Sequence, residues 1–145
     1  MIDVMDPLLD SWFELLDGNI TYSSTEVRVY PGDPANEDYN HHIILRAESE
    51  TDESNKSTFV TRPVIVLDIV TVHEVSINKS VVNNIYGQCM ALLFPTRKHA
   101  LPPLQNLQIT NVIPNGGSYL EEDDGTRKYH RKTTRFIHRI TQTNL

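Results

Sequence analysis

The stretch RPVIVLDIVTV, Arg62 to Val72, leaves few folds open to this chain. A β-strand sends alternate side chains to opposite faces, so Val64, Val66, Val70 and Val72 share one face while Ile65, Leu67, Ile69 and Thr71 share the other. Both faces are largely apolar, which a strand with one wet face would not be. The pattern predicts a central strand covered on both sides, by a helix on one and by another sheet layer or a partner subunit on the other. Pro63 fits only at its beginning, because proline has no N–H to give to the ladder.

At 145 residues the chain can bury a sizeable core, and it reads as one domain spanning residues 1–145. The net charge of -6 conceals a segregation along the sequence. Thirteen acids lie between Met1 and Glu53 against two bases, Arg28 and Arg46, whereas Thr126 to Leu145 holds six bases and no acid. Such polarity suits packing against copies of itself or against charged neighbours, although a solvated surface explains it equally. The single cysteine, Cys89, excludes an internal disulfide and a cysteine-based zinc cluster. It falls in an apolar helical pattern, where a buried thiol is expected. No run approaches the roughly 20 apolar residues of a membrane span, and MIDVMDPLLD is acidic where a secretion signal would be basic. A soluble protein made in a reducing cytosol is expected.

Around the central strand, Pro7 to Leu16 predicts an amphipathic helix capped by Asp6, with Gly18 just past its end. Leu8, Leu9, Trp12, Phe13, Leu15 and Leu16 form its apolar face, and Trp12 and Phe13 read as core anchors. A strand at Glu26–Tyr30 breaks at the turn Pro31-Gly32-Asp33-Pro34, and a second follows at His41–Glu48. Glu48 to Thr58 has no aliphatic residue and predicts an exposed hairpin tip or loop. A second helix runs from Asn78 or Lys79 to Phe94, with Val81, Ile85, Cys89 and Leu92 along its stripe and Ser76 or Asn78 as cap. Gly87 inside it marks either a close approach to the sheet or an exposed neutral site. Pro95 to Gln105 reads as an irregular connector. Leu107–Ile113 predicts a strand ended by the turn group Pro114 to Gly117. A closing hairpin follows, from Ser118–Glu122 through the turn DDGT to a strand over Arg127–Thr141. The fold class is α+β, a mostly antiparallel sheet with an N-terminal helix and a main helix packed on it, plus a protruding β-hairpin.

In that last strand, alternation puts Tyr129, Arg131, Thr133, Arg135, Ile137 and Arg139 on one face and Lys128, His130, Lys132, Thr134, Phe136, His138 and Ile140 on the other. Its half up to Arg135 is too polar for core on either side, so the hairpin is expected to project. One leg carries Glu121, Glu122, Asp123 and Asp124, the other Arg127, Lys128, Arg131, Lys132 and Arg135. Opposite charges on two legs suit pairing with the next copy of the chain, and these nine residues are the candidate subunit interface; ordinary cross-strand pairing is the alternative.

No catalytic, metal or cofactor residues emerge. His41 and His42 are adjacent and point to opposite faces of a strand, as do Asp68 and His73, so neither pair can chelate one ion. Glycine-rich phosphate loops, nucleophile elbows and paired cysteines are absent. An enzymatic alternative, a nuclease using Asp68, Glu74 and Lys79 with magnesium, rests only on common residue types. The basic strand, with Tyr129 and Phe136 interleaved, could touch phosphates and stack bases, but no recognised nucleic-acid module accompanies it.

The order of elements resembles that of the tail terminator or tail completion proteins of tailed bacteriophages, within the neck ring proteins. The resemblance is carried by the VYPGDP turn at Val29–Pro34 and by YNHHIIL at Tyr39–Leu45. The strand Val64–Thr71, the helix Lys79–Leu93 and the ending EEDDGTRKYHRKTTRFIHRI add to it. It implies a non-enzymatic virion component without cofactors, made in the host bacterial cytoplasm. Members form rings, commonly of six subunits, that cap a completed tail tube, stop its polymerisation and present the docking surface for the head. Their partners would be copies of the chain, the tail tube protein, a head–tail connector protein and double-stranded DNA passing unread through the lumen. The neighbouring class implied is the neck ring or head completion proteins between portal and tail.

Overall fold

In the computed structural model, which describes residues 3–34, 40–54, 59–74 and 79–142, the strand read as central lies third of five in one sheet. In chain order the elements are α1 (Met5–Leu16), the short strands β1 (Thr21–Tyr22) and β2 (Thr25–Glu26), β3 (Arg28–Tyr30), β4 (His42–Asp52), β5 (Val60–His73), α2 (Ser80–Leu93), β6 (Leu107–Asp123) and β7 (Lys128–Gln142). β1 and β2 form a small separate hairpin, and the main sheet has the order β3-β4-β5-β7-β6. Only β3 and β4 run parallel; the other neighbours are antiparallel. The architecture is therefore the expected α+β fold.

Both helices cover the face of β5 that carries Ile65, Leu67 and Ile69. There Leu8, Trp12 and Leu16 of α1 join Val81, Val82, Ile85, Cys89 and Leu93 of α2 in one buried cluster. α1 begins two residues before the expected Pro7 because the Asp3 carboxylate accepts the Met5 N–H at 3.0 Å. Asp6 then lies in the first turn, where an acid suits the positive end of the helix dipole. The strand expected over Glu26–Tyr30 is split at Val27, whose side chain is buried and whose N–H turns to the Ile20 carbonyl. In α2, the cap candidates Ser76 and Asn78 lie outside the described residues, as do Tyr39 and residues 55–58. Gly87 is exposed, and a Cβ there would meet nothing within 4 Å. Gly87→Ala is expected to raise stability by up to about 1 kcal/mol, read as a higher denaturant midpoint; a lower one would mean the helix needs that glycine.

Three boundaries differ from expectation, each for a backbone reason. Pro63 lies inside β5, not at its start. The ladder to β7 lapses between Thr61 and Val64, so the missing N–H falls where no partner is asked for. The polar run from Glu48 is strand up to Asp52, paired with Thr61 to Val64, since a ladder needs backbone partners and not apolar side chains. The group Pro114 to Gly117 does not end a strand. It forms a bulge inside β6, with Gly116 at φ +78° and Gly117 so close to β7 that a Cβ would lie 2.9 Å from the Thr133 carbonyl.

The expected projecting arm is also corrected. β7 is paired with β5 from Lys128 to Thr141 and with β6 along its other side, so only the turn between Asp123 and Lys128 extends past the sheet. His130 and Thr134 are buried on the helix side, where the sequence looked too polar for core.

Candidate functional site

The second face of the sheet has no helix on it among the described residues. Its centre is Asp68, 1% exposed although it stands between Val66 and Val70. Arg46 from β4 reaches it at 3.2 Å and Arg131 from β7 at 3.5 Å, while the Thr133 hydroxyl donates to it at 3.2 Å. Arg46 also binds Asp33 of the Pro31–Pro34 turn, and this contact holds the Asp33 carboxyl below the usual range. Among the described residues this face thus carries an ionic layer and not the second sheet layer that was one of the two expected covers. The ionic layer covers Ile44, Val66 and Val70, all under 9% exposed. Beside it lies a shallow pocket of about 370 Å³, bounded by Asp33, Pro34, His42, Ile44, Val70 and Arg131 among others.

Asp68 therefore bonds its neighbours. Asp68→Asn keeps the shape but removes the charge that both arginines face, and is expected to lower stability by about 2 kcal/mol, the scale of hydrogen bonds to charged groups. An unchanged urea midpoint would show that water replaces the carboxylate without loss.

The same pairing bears on the candidate interface. Arg131 points at Asp68, and Arg135 meets Glu48 at 2.7 Å. Lys128 meets Asp123 at 2.6 Å across the hairpin. Lys132 lies on the helix face, its ammonium 4.3 Å from the Tyr86 ring centroid and 3.2 Å from the Asn83 side-chain oxygen. Asp124 accepts the backbone N–H groups of Thr126 and Arg127, which push its carboxyl far below the usual range. Glu121 accepts from the Tyr119 hydroxyl; Glu122 is exposed, and Arg127 is half-buried. The structure brings Glu121 to Asp124 together with Arg127 and Lys128 at the hairpin end, and sends Arg131, Lys132 and Arg135 to three different partners within the chain.

Nor do Asp68, Glu74 and Lys79 assemble into a nuclease centre. Asp68 is held by its arginines, and the Lys79 ammonium sits 4.0 Å from the Tyr119 ring centroid. Among the described residues no group of three His, Cys, Asp or Glu side chains is placed to hold a metal ion.

Two histidine features escaped the sequence reading. On the helix face Tyr22, His41, His73, His130 and Tyr119 form a chain of ring contacts, with centroid separations between 5.0 and 5.7 Å. Burial first, then the neighbouring imidazoles, push the His73 pKa down to about 4. His138 is fully buried and accepts the Trp12 indole N–H at 2.8 Å. The indole can only donate, so the His138 proton resides on Nδ1 and is donated to the Pro63 carbonyl at 3.1 Å. Burial lowers its pKa to about 4. Cys89 is buried in α2 with its pKa pushed up to about 12, an unreactive thiol.

No protein-family model matches this sequence, and no curated protein matches it. Its fold is similar to that of a chain in a solved structure described as the virion of a native gene transfer agent particle. That match has a TM-score of 0.57 and 12% sequence identity, and covers 88% of this chain and 84% of the other. At this identity the likeness is one of fold.

Proposed function

We propose that this chain is a structural component of a phage-like virion, a ring-forming protein of the head–tail junction. In this reading a ring of subunits, six by the family resemblance, caps the tail tube, ends its polymerisation and offers the head a docking surface while DNA passes through the hole. The observation that carries the reading is the fold match to a virion chain over 88% of the sequence. The site geometry is compatible with it, because the charged groups of the sheet bind one another instead of converging on a reactive centre. The exposed turn between Asp123 and Lys128 would be a contact surface of the ring, and no described helix is long and apolar enough to cross a membrane.

The test is assembly. Purified protein, alone and mixed with tail tubes, should sediment as a closed oligomer or appear as rings and tube caps in negative-stain images. Protein that stays monomeric at high concentration and leaves tube ends bare would refute the reading.

A further inference from the structure

The sheet has two edges that no described strand covers. On one side β3 pairs only with His42 to Ile44, so no described strand pairs with the outer edge of β4 from Leu45 to Asp52. On the other side β6 pairs with β7, and the only described backbone pairing on its outer flank is an isolated bridge from Leu104 of the connector to Leu107. Edges of this kind are templates for pairing with another chain.

The two edges carry opposite charge at the same height. Glu50 and Asp52 pair with Pro63 and Thr61, both buried on the helix side, so the two carboxylates stand on that side at the β4 edge. Their neighbours Glu48 and Glu53 are already bound to Arg135 and Arg62. Glu50 instead feels burial and then the charges of Asp3 and Asp52, which raise its pKa; among the described residues no ion pair holds it. At the far edge, Arg97 and Lys98 are exposed on the connector that follows α2. The ion pairs among the described residues include neither. The connector is clamped to β6 by His99, whose Nε2–H donates to the Ile109 carbonyl at 3.1 Å. It frames a groove of about 380 Å³ between Phe94, Arg97, Lys98 and His99 and the β6 residues Gln108 to Val112.

The ladder registers set the heights. Ser49 pairs with Val64, Val64 with Ile137 and Ile137 with Ile113; Asp52 pairs with Thr61, Thr61 with Ile140 and Ile140 with Ile109. The acidic run Glu50–Asp52 is therefore level with the stretch of β6 beside Arg97 and Lys98. A twofold dimer would set each edge against itself, like charge against like. Joining opposite edges pairs unlike charges, and a head-to-tail contact of this type builds a ring when the rotation between copies closes.

We infer that the β6 edge of one subunit, with Arg97 and Lys98 beside it, receives the β4 edge of a second copy, with Glu50 and Asp52 facing the two cations. The inference rests on the ring reading and names its subunit contact. Within one sheet β4 and β6 run in opposite directions, so copies rotated about an axis along the strands meet antiparallel, as the rest of the sheet does. The connector already holds the β6 edge at Leu107 and Ile109, and Pro114 and the bulge interrupt it further on, so the new ladder is limited to short runs beyond Ile109 and the charges fix its register.

The experiment compares wild type, Arg97→Glu/Lys98→Glu, Glu50→Lys/Asp52→Lys and the variant combining all four changes. Each is followed by sedimentation velocity and negative-stain imaging, with circular dichroism melts to confirm folding. Each charge reversal alone should weaken assembly at least about tenfold, as like charges meet across the contact, and the combination should restore rings. Wild-type rings that persist in both reversed variants would overturn the edge contact and leave the ring reading standing. Loss in both without rescue would show that the edges meet other surfaces, and also overturns it. Wild-type protein that never assembles, with or without tubes, removes the ring reading itself.

Discussion

Trp12→Ala should lower stability by about 4 kcal/mol, in the range for removing a fully buried aromatic side chain. Trp12 has no exposed surface, its ring lies 5.1 Å from that of Phe136, and its N–H is bound by His138. The substitution opens a cavity under α1 and also leaves His138 Nε2 buried without a donor. Trp12→Phe separates the two effects: it refills most of the space but not the hydrogen bond, and should lose about 1–3 kcal/mol. Urea titrations followed by far-UV circular dichroism measure both. A loss under about 1 kcal/mol for the alanine variant would mean that the helix layer closes over the gap or that α1 contributes little.

Acid should weaken the fold well before the carboxylates protonate. His138 takes up its proton near pH 4 in the folded chain and near 6.5 when unfolded. Between those values the unfolded chain binds more protons, so the stability tied to the neutral imidazole is complete above pH 6.5 and drains as pH falls toward 4. A shift of that size corresponds to roughly 3 kcal/mol. His73 shifts in the same direction, also to about 4, and adds to the loss. Thermal melts from pH 7.5 to 4 should show the decline, and His138→Gln should flatten part of it at the expense of stability at pH 7.5. A wild-type midpoint constant over that range would contradict the buried neutral assignment.

The elements that periodicity can describe were legible. β5, the apolar face of α1 and the stripe of α2 each show their burial pattern locally, as Leu67, Trp12 and Ile85 illustrate. β7 did not, because what makes His130, Thr134 and His138 acceptable in the core is remote. His138 needs an indole 126 positions earlier and a proline carbonyl 75 positions earlier. The ionic layer was hidden for a related reason: Arg46, Asp68 and Arg131 come from three strands, and their separation in sequence carries no signal. The charge segregation along the chain was visible, but pairing redistributes it. Most of the basic residues of β7 find partners in the same subunit, and Arg97 and Lys98, in a connector that looked featureless, are left facing outward.

The strand order has a consequence for how the chain reaches its native state. β5 is paired with β4 on one side, but its other side waits for β7, which is synthesised after β6, and β6 has no place in the main sheet until β7 arrives between them. Until then the longest apolar strand of the molecule presents a bare flank. Contacts of such sequence separation slow folding and prolong exposure of sticky edges. A nascent or truncated chain lacking residues 127–142 should therefore gather chaperones or aggregate, whereas the same loss from an ordinary projecting hairpin would leave a folded body behind.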